Sequence, residues 1–293
     1  MFRVGILGSD NSHAQHFATL CNVEKAYGDD VRIECIYGRD DDPAHTKEVA
    51  EIGKIPYIAK DPKEFLGKVD AVMVVYRRGA LHVPEILPFI EAGLPVWLDK
   101  PVCESLEDIE ILREAVERNN TLITGGSTLK YNYEILTLKD KVESGRLGAV
   151  SGGCINFPGD LESEYGGIFF YGSHLIEMML SVFGYDVKSV TAKTVAPKNS
   201  LVIVKYEDRM VSLAFNNLCP SFHITVYGLD KACNVEVDIS FIYRLGFAKF
   251  VEMLKTKKMP LSFDDLVKPV YVLNAIKKSL DEDREVELCE LIK

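Results

Sequence analysis

The sequence predicts a two-domain α/β protein. A doubly wound parallel sheet occupies residues 1–124, and an α+β domain with an open, mostly antiparallel sheet occupies residues 125–293. Three observations predict it. The N-terminal stretch alternates short β-rich runs with longer helical patterns, which is the signature of a parallel sheet with flanking helices. After Gly125–Gly126 the alternation stops, and five strand-like runs follow one another. The length of 293 residues suits two ordinary domains, and 47% apolar residues allow a sizeable core in each.

The first strands are expected at Phe2–Leu7, Arg32–Tyr37, Ala71–Tyr76, Pro95–Leu98 and Leu122–Thr124. Several are continuously apolar, as strands buried on both faces are. A helix over His82–Ala92 stops at Gly93. Another over Ser105–Arg118 opens on a capping serine with Glu107 and Asp108 in its first turn, where acids suit the helix dipole. Beyond the boundary, Tyr131–Ser144 reads as a helix ended by Gly145, Ala149–Phe157 as a strand and Gly172–Phe183 as a helix stopped by Gly184. Strands are expected at Ser189–Val195, Leu201–Tyr206, Met210–Phe215, His223–Tyr227 and Asn234–Val237, and helices at Leu245–Lys255 and Phe263–Ser279.

The formal charge of −10 argues against a general nucleic-acid binder, although Arg77–Arg78 forms a local basic site. No apolar run approaches the ~20 residues of a membrane span. The opening MFRVGILGSD lacks the charged region and cleavage site of a signal peptide. Seven scattered cysteines without a C-x-x-C suggest neither a disulfide framework nor a zinc site. A cytoplasmic protein with mostly buried, reduced thiols is expected.

The strand Phe2–Leu7 runs into Gly8 and then a helix. In a Rossmann domain a dinucleotide pyrophosphate is held by backbone N–H groups at such a junction. The usual G-x-G-x-x-G is here Gly8-Ser9-Asp10-Asn11-Ser12-His13, with only the first glycine present. Asp10 stands where close backbone approach usually needs glycine, and its carboxylate repels a pyrophosphate unless it points away. His13 stands where a small residue normally permits close helix–strand packing. Asp10, Asn11 and Ser12 are also good N-caps, so a nucleotide loop and a plain cap both remain open. His13 and His16 share a helix face but have no third ligand in view, and no metal is expected. The second strand ends Tyr37-Gly38-Arg39-Asp40. An acid there serves the ribose hydroxyl of NAD and an arginine the 2′-phosphate of NADP. Gly38–Arg39 leans toward NADP, with a solvated turn as the other reading.

The segment Glu91-Ala92-Gly93-Leu94-Pro95-Val96-Trp97-Leu98-Asp99-Lys100-Pro101 resembles the "EAGKHVxxEKP" stretch of the glucose–fructose oxidoreductase and inositol dehydrogenase family, Gfo/Idh/MocA. Val4–Gly8, Ser144–Gly148 ("SGxIG") and Gly172–Glu177 ("GxHxxD") agree with it in order and spacing, and Phe263–Glu287 is similar to its closing helix and tail. The resemblance covers nearly the whole chain. It implies a Rossmann domain with an appended α+β domain, and an NAD- or NADP-dependent oxidoreductase acting on a sugar or polyol. It implies catalysis by Lys100, which contacts the reacting hydroxyl, and by His174 as acid/base. It further implies substrate contacts by Lys130, Tyr131, Tyr171 and Glu177. The cofactor set becomes Gly8, Asp10, Asn11, Ser12, His13, Gly38, Arg39, Arg77, Arg78, His82, Asp99 and Lys100.

Hydride removal from a carbinol carbon requires the hydroxyl proton to leave too, and a histidine suits that transfer. Taken alone, Lys100 also reads as a surface lysine before a turn proline, and His174 as a capping or core histidine. The chain departs from the family pattern in several places. Arg77–Arg78 replace a threonine–proline, Phe170 replaces an aspartate four residues before His174, Thr128-Leu129 replace an asparagine–arginine, and Glu177 replaces an aspartate. Two alternatives therefore stand beside the oxidoreductase: a non-catalytic ligand-sensing protein on the same scaffold, and a cofactor-assisted lyase or hydrolase. An open sheet exposes a broad face, so a homodimer or homotetramer through the C-terminal sheet is expected. No membrane or nucleic-acid partner is expected.

Overall fold

The computed structural model describes residues 1–39, 42–196 and 199–292. Asp40, the acid at the end of the second strand, lies outside them. The chain divides into two compact units. One comprises Met1–Cys103, Glu107–Gly126 and Tyr243–Leu266; the other comprises Glu104–Leu106, Ser127–Ile242 and Val267–Lys293.

In the first unit, strands β1 (Phe2–Leu7), β2 (Val31–Tyr37), β3 (Tyr57–Ile58), β4 (Ala71–Val74), β5 (Val96–Leu98) and β6 (Ile123–Gly125) form one sheet. All neighbours are parallel, in the order β3-β2-β1-β4-β5-β6. The helices are α1 (Ser12–Ala18), which runs into a π-type turn at Thr19–Val23, α2 (Pro43–Ile52), α3 (His82–Glu91) and α4 (Leu106–Asn119). β4 and β5 are buried at every position, as their unbroken apolar sequences require. The order reverses between β1 and β4, and ligands of open α/β sheets bind at the carboxyl ends of strands at such a switch.

The second unit holds α5 (Tyr133–Glu143), β7 (Val150–Phe157), α6 (Ile168–Phe183), β8 (Ser189–Ala196), β9 (Asn199–Lys205), β10 (Met210–Asn216), β11 (His223–Gly228) and β12 (Ala232–Glu236). After α7 (Ile242–Thr256) and α8 (Phe263–Glu282), the short β13 (Val286–Glu287) completes a seven-stranded sheet in the order β12-β11-β7-β10-β9-β8-β13. It is antiparallel except for the β7–β10 pair, which is parallel. Alternate residues of β9 and β10, among them Val202, Val204, Val211, Leu213 and Phe215, are buried, and the opposite face carries the partly exposed positions.

Three expectations needed correction, two on elements and one on the cysteines. The helix expected from Gly172 starts at Ile168, after the positive-φ pair Gly166–Gly167. Gly172 lies inside it, because a Cβ there would press on Leu273 of α8 and Phe215 of β10 at 3.0–3.1 Å. Gly172 serves helix packing and does not start the helix. The helix near 245–255 exists as α7, but most of it packs with the first unit, so a single cut at 124/125 does not describe where residues 243–266 sit. Phe247, Phe250, Val251 and Leu254 recur at helical spacing, and they are buried with Phe17 and Trp97 of the parallel sheet's core. Trp97 packs against Phe17, Phe247 and Phe250 with ring centroids 5.7–6.3 Å apart.

Cys21, Cys35 and Cys103 are buried, whereas Cys154, Cys219 and Cys233 are half-buried and Cys289 is exposed, so burial of most thiols does not hold. Among the described residues, no helix is long and apolar enough to cross a membrane.

Candidate functional site

The carboxyl ends of β1, β2, β4 and β5 gather most of the expected cofactor residues. Gly8 has φ +106°, and a Cβ there would lie 2.9 Å from the Tyr76 backbone nitrogen, so only glycine leaves β1 this close to β4. Gly38 at the end of β2 is equally constrained. A Cβ there would meet Thr46 Oγ1 at 1.9 Å and Ser9 Oγ at 2.5 Å, the two hydroxyls that hydrogen-bond each other at 2.8 Å. The Ser9–Thr46 pair escaped the sequence reading because nothing local links position 9 to position 46.

Asn11 is the cap of α1, its side chain accepting from the His13 amide at 3.3 Å. Asp10 and Ser12 are exposed. The Asp10 carboxylate turns to the loop after β4 and accepts the Arg77 N–H at 3.2 Å. Asn11 Nδ2 and the Tyr76 hydroxyl are buried without a hydrogen-bond partner. Such orphaned polar atoms at a sheet's carboxyl edge fit a polar ligand that satisfies them.

His13 is not a gap in the helix–strand packing but a buried link. Its Nδ1–H donates to Asp99 Oδ2 at 2.6 Å, and its ring packs edge-on to Tyr243 of α7 at 4.9 Å. His16, on the same helix face, stacks on the Tyr243 ring at 4.5 Å. Asp99 follows β5, is 1% exposed and also accepts from Trp97 Nε1 at 3.4 Å. Burial alone would raise the Asp99 carboxyl, but the charge and hydrogen bond of His13, aided by Lys100 and His82, hold it below the ordinary aspartate range. Lys100 is 2% exposed, which removes the surface-lysine reading.

The remaining cations differ in setting. Arg77 is half-buried and Arg78 exposed. His82 is fully buried, its Nε2–H donating to the Tyr76 carbonyl at 2.9 Å. Arg39 has φ +57°, lies 3.6 Å from Glu85 and sits over the Tyr76 ring at 6.0 Å.

In the second unit a buried polar cluster forms between α6 and the 3-10 turn Thr128–Tyr131. Lys130 Nζ meets Glu177 Oε2 at 2.5 Å, both side chains 3% exposed. Glu177 Oε1 accepts the Ser127 N–H at 2.6 Å, and Ser127 Oγ lies 2.6 Å from His174 Nδ1. His174 is 8% exposed and packs near Phe157 and Tyr171, at 6.0 and 6.3 Å between ring centroids. Tyr131 is buried and Tyr171 exposed. Phe170 packs with Tyr165 and Tyr171, so the place of the family's aspartate is apolar. The structure thus joins His174 to the Lys130–Glu177 pair through Ser127, a residue with no local signal beyond its place after Gly125–Gly126.

A parallel sheet in this order, with a switch between its first and fourth strands, followed by a mixed sheet of seven strands, defines a Rossmann protein with an appended α+β unit. Residues 2–126 match the model of the oxidoreductase family with an NAD-binding Rossmann fold, Gfo/Idh/MocA. It is 24% identical over 217 residues to the scyllo-inositol 2-dehydrogenase (NADP(+)) IolW of Bacillus subtilis, covering 70% of this chain and 58% of that protein. It thus spans less than two thirds of that relative's length, and 40–41% of two further curated relatives. Among solved structures, a probable dehydrogenase from Thermotoga maritima matches with TM-score 0.85 at 20% identity, over 99% of this chain and 100% of that one. The apo scyllo-inositol dehydrogenase from Lactobacillus casei matches with TM-score 0.85 at 13% identity, over 99% and 98%. At these identities the structural likeness establishes the fold.

Proposed function

We propose that this protein is an NAD(P)-dependent oxidoreductase. In this reading it transfers a hydride between a nicotinamide cofactor and a hydroxyl or carbonyl carbon of a sugar-like or polyol molecule. The observation that carries the reading is Lys100, an amine 2% exposed at the carboxyl end of β5 in a unit that matches an NAD-binding family. Burying an ammonium is costly, and buried titratable groups concentrate at functional sites.

When bound, the nicotinamide supplies or takes the hydride. Gly8, Asn11, Gly38, Arg39, Arg77, Arg78 and His82 are the groups proposed to hold it, with the orphaned Asn11 amide and Tyr76 hydroxyl supporting a polar occupant. Lys100 binds the reacting oxygen and His174 carries its proton. Lys130, Glu177, Tyr131 and Tyr171 shape the substrate pocket. Arg39 favours NADP, while the nearby Glu85 competes for its charge.

Calorimetric titration with NADH and NADPH is the direct test, with binding of at least one expected. Failure of both would overturn the reading. With myo- and scyllo-inositol as probes, Lys100→Ala and His174→Ala are expected to lower kcat by about 10²–10⁴-fold.

A second reading, a ligand sensor on the same scaffold, is favoured by the apolar Phe170 packing. It wins if a dinucleotide binds and Lys100→Ala changes no turnover. We also propose self-association through the outward face of the second sheet, where Leu201, Met210 and Tyr227 are exposed.

A further inference from the structure

We infer that Ser127 is a positioning residue for His174: its hydroxyl donates to Nδ1 and holds the neutral imidazole with its proton on Nε2. Ser127 is fully buried. A hydroxyl has one proton and two lone pairs. The Leu129 N–H, 3.2 Å away, occupies a lone pair of Ser127 Oγ, and His174 Nδ1 is 2.6 Å from the same oxygen. A buried hydroxyl proton needs an acceptor, and among the described residues Nδ1 is the one in reach of Oγ. The serine is pinned, since its own N–H is held by Glu177 Oε1 at 2.6 Å, and the other oxygen of that carboxylate is held by Lys130 at 2.5 Å. A neutral imidazole carries one N–H, so an accepting Nδ1 leaves the proton on Nε2.

The chemical consequence rests on the oxidoreductase reading. Neutral His174 offers a donor, and the oxygen it receives is an acceptor: the carbonyl form of a substrate, or a carboxylate. For Nε2 to take a hydroxyl proton instead, the ring proton must first leave Nε2 and bind Nδ1, with Ser127 turning from donor to acceptor. Ser127 therefore sets which form of the substrate the resting protein is ready to hold.

The test uses the full-length protein labelled with ¹⁵N-histidine, free of cofactor, at a pH where His174 is neutral. Long-range ¹H–¹⁵N correlation reads both ring nitrogens, and His174 is assigned by its loss in His174→Gln. The expected result is an unprotonated Nδ1 and a protonated Nε2. A protonated Nδ1 in the wild type overturns the inference, whether or not any variant folds. In Ser127→Ala the Nδ1 resonance should shift, returning in Ser127→Thr, and an unmoved resonance also overturns it. With NADPH or NADH and an inositol-derived ketone, Ser127→Ala should lose about tenfold in kcat with the cofactor KM unchanged. Because the tautomer is read without cofactor, a protein that binds neither NADH nor NADPH sinks the oxidoreductase reading while the spectrum still decides the role of Ser127.

Discussion

At the scale of residues, each unit holds one buried polar pair, His13–Asp99 in the first and Lys130–Glu177 in the second, and each makes a prediction. Asp99 is almost wholly buried and keeps its charge through His13. His13→Ala leaves that carboxylate without its partner and should cost about 3–5 kcal/mol in chemical denaturation. The acid dependence follows from the sign of the shift. The folded carboxyl lies below its ordinary value, so its contribution is complete above about pH 4 and is lost as pH falls through the depressed native value. The stability gap between wild type and Asp99→Asn should therefore narrow as pH falls below about 4. A gap that widens in acid contradicts this. The Lys130–Glu177 pair obeys the same electrostatics. Lys130→Met alone strands a buried carboxylate and should cost about 3–5 kcal/mol, whereas Lys130→Met with Glu177→Leu should recover much of that loss in a double-mutant cycle.

At the scale of elements, α7 and its aromatic stripe close the core of the first unit. Phe247 is fully buried and within ring contact of Phe17, Trp97 and Phe250. Phe247→Ala should destabilise by about 3–5 kcal/mol through lost burial and the cavity left behind, measured by urea unfolding. The 3-10 turn before α5 is secured differently. Asn132 caps α5 by accepting the Glu134 N–H at 2.9 Å, and its own amide donates to the Asp238 carbonyl at 2.5 Å. Asn132→Ala should cost about 1 kcal/mol for the cap alone, and this turn carries Lys130 and follows Ser127.

At the scale of the whole molecule, the second sheet has one face packed on helices and one face open. Light scattering across a wide concentration range should give a dimer or tetramer mass, and Met210→Lys, on the exposed face of β10, should shift it toward the monomer. A monomer throughout would remove that assembly. How much of this could be read in the chain follows from distance along it. Alternating apolar runs, the glycine after β1, the family stretch ending Asp99-Lys100-Pro101 and the switch to consecutive strands are local signals, and they determined both sheets and most of their strands. Burial, partners and packing side are set by residues far apart. His13 and Asp99 meet across 86 positions, and Ser127 and His174 across 47. The apolar stripe of α7 announced a helix but not which core would take it, because hydrophobic attraction has no address. Only the folded chain decided that residues 243–266 return to the first unit, that the histidine at the start of α1 meets a buried aspartate, and that a serine beside the boundary lies 2.6 Å from the candidate catalytic imidazole.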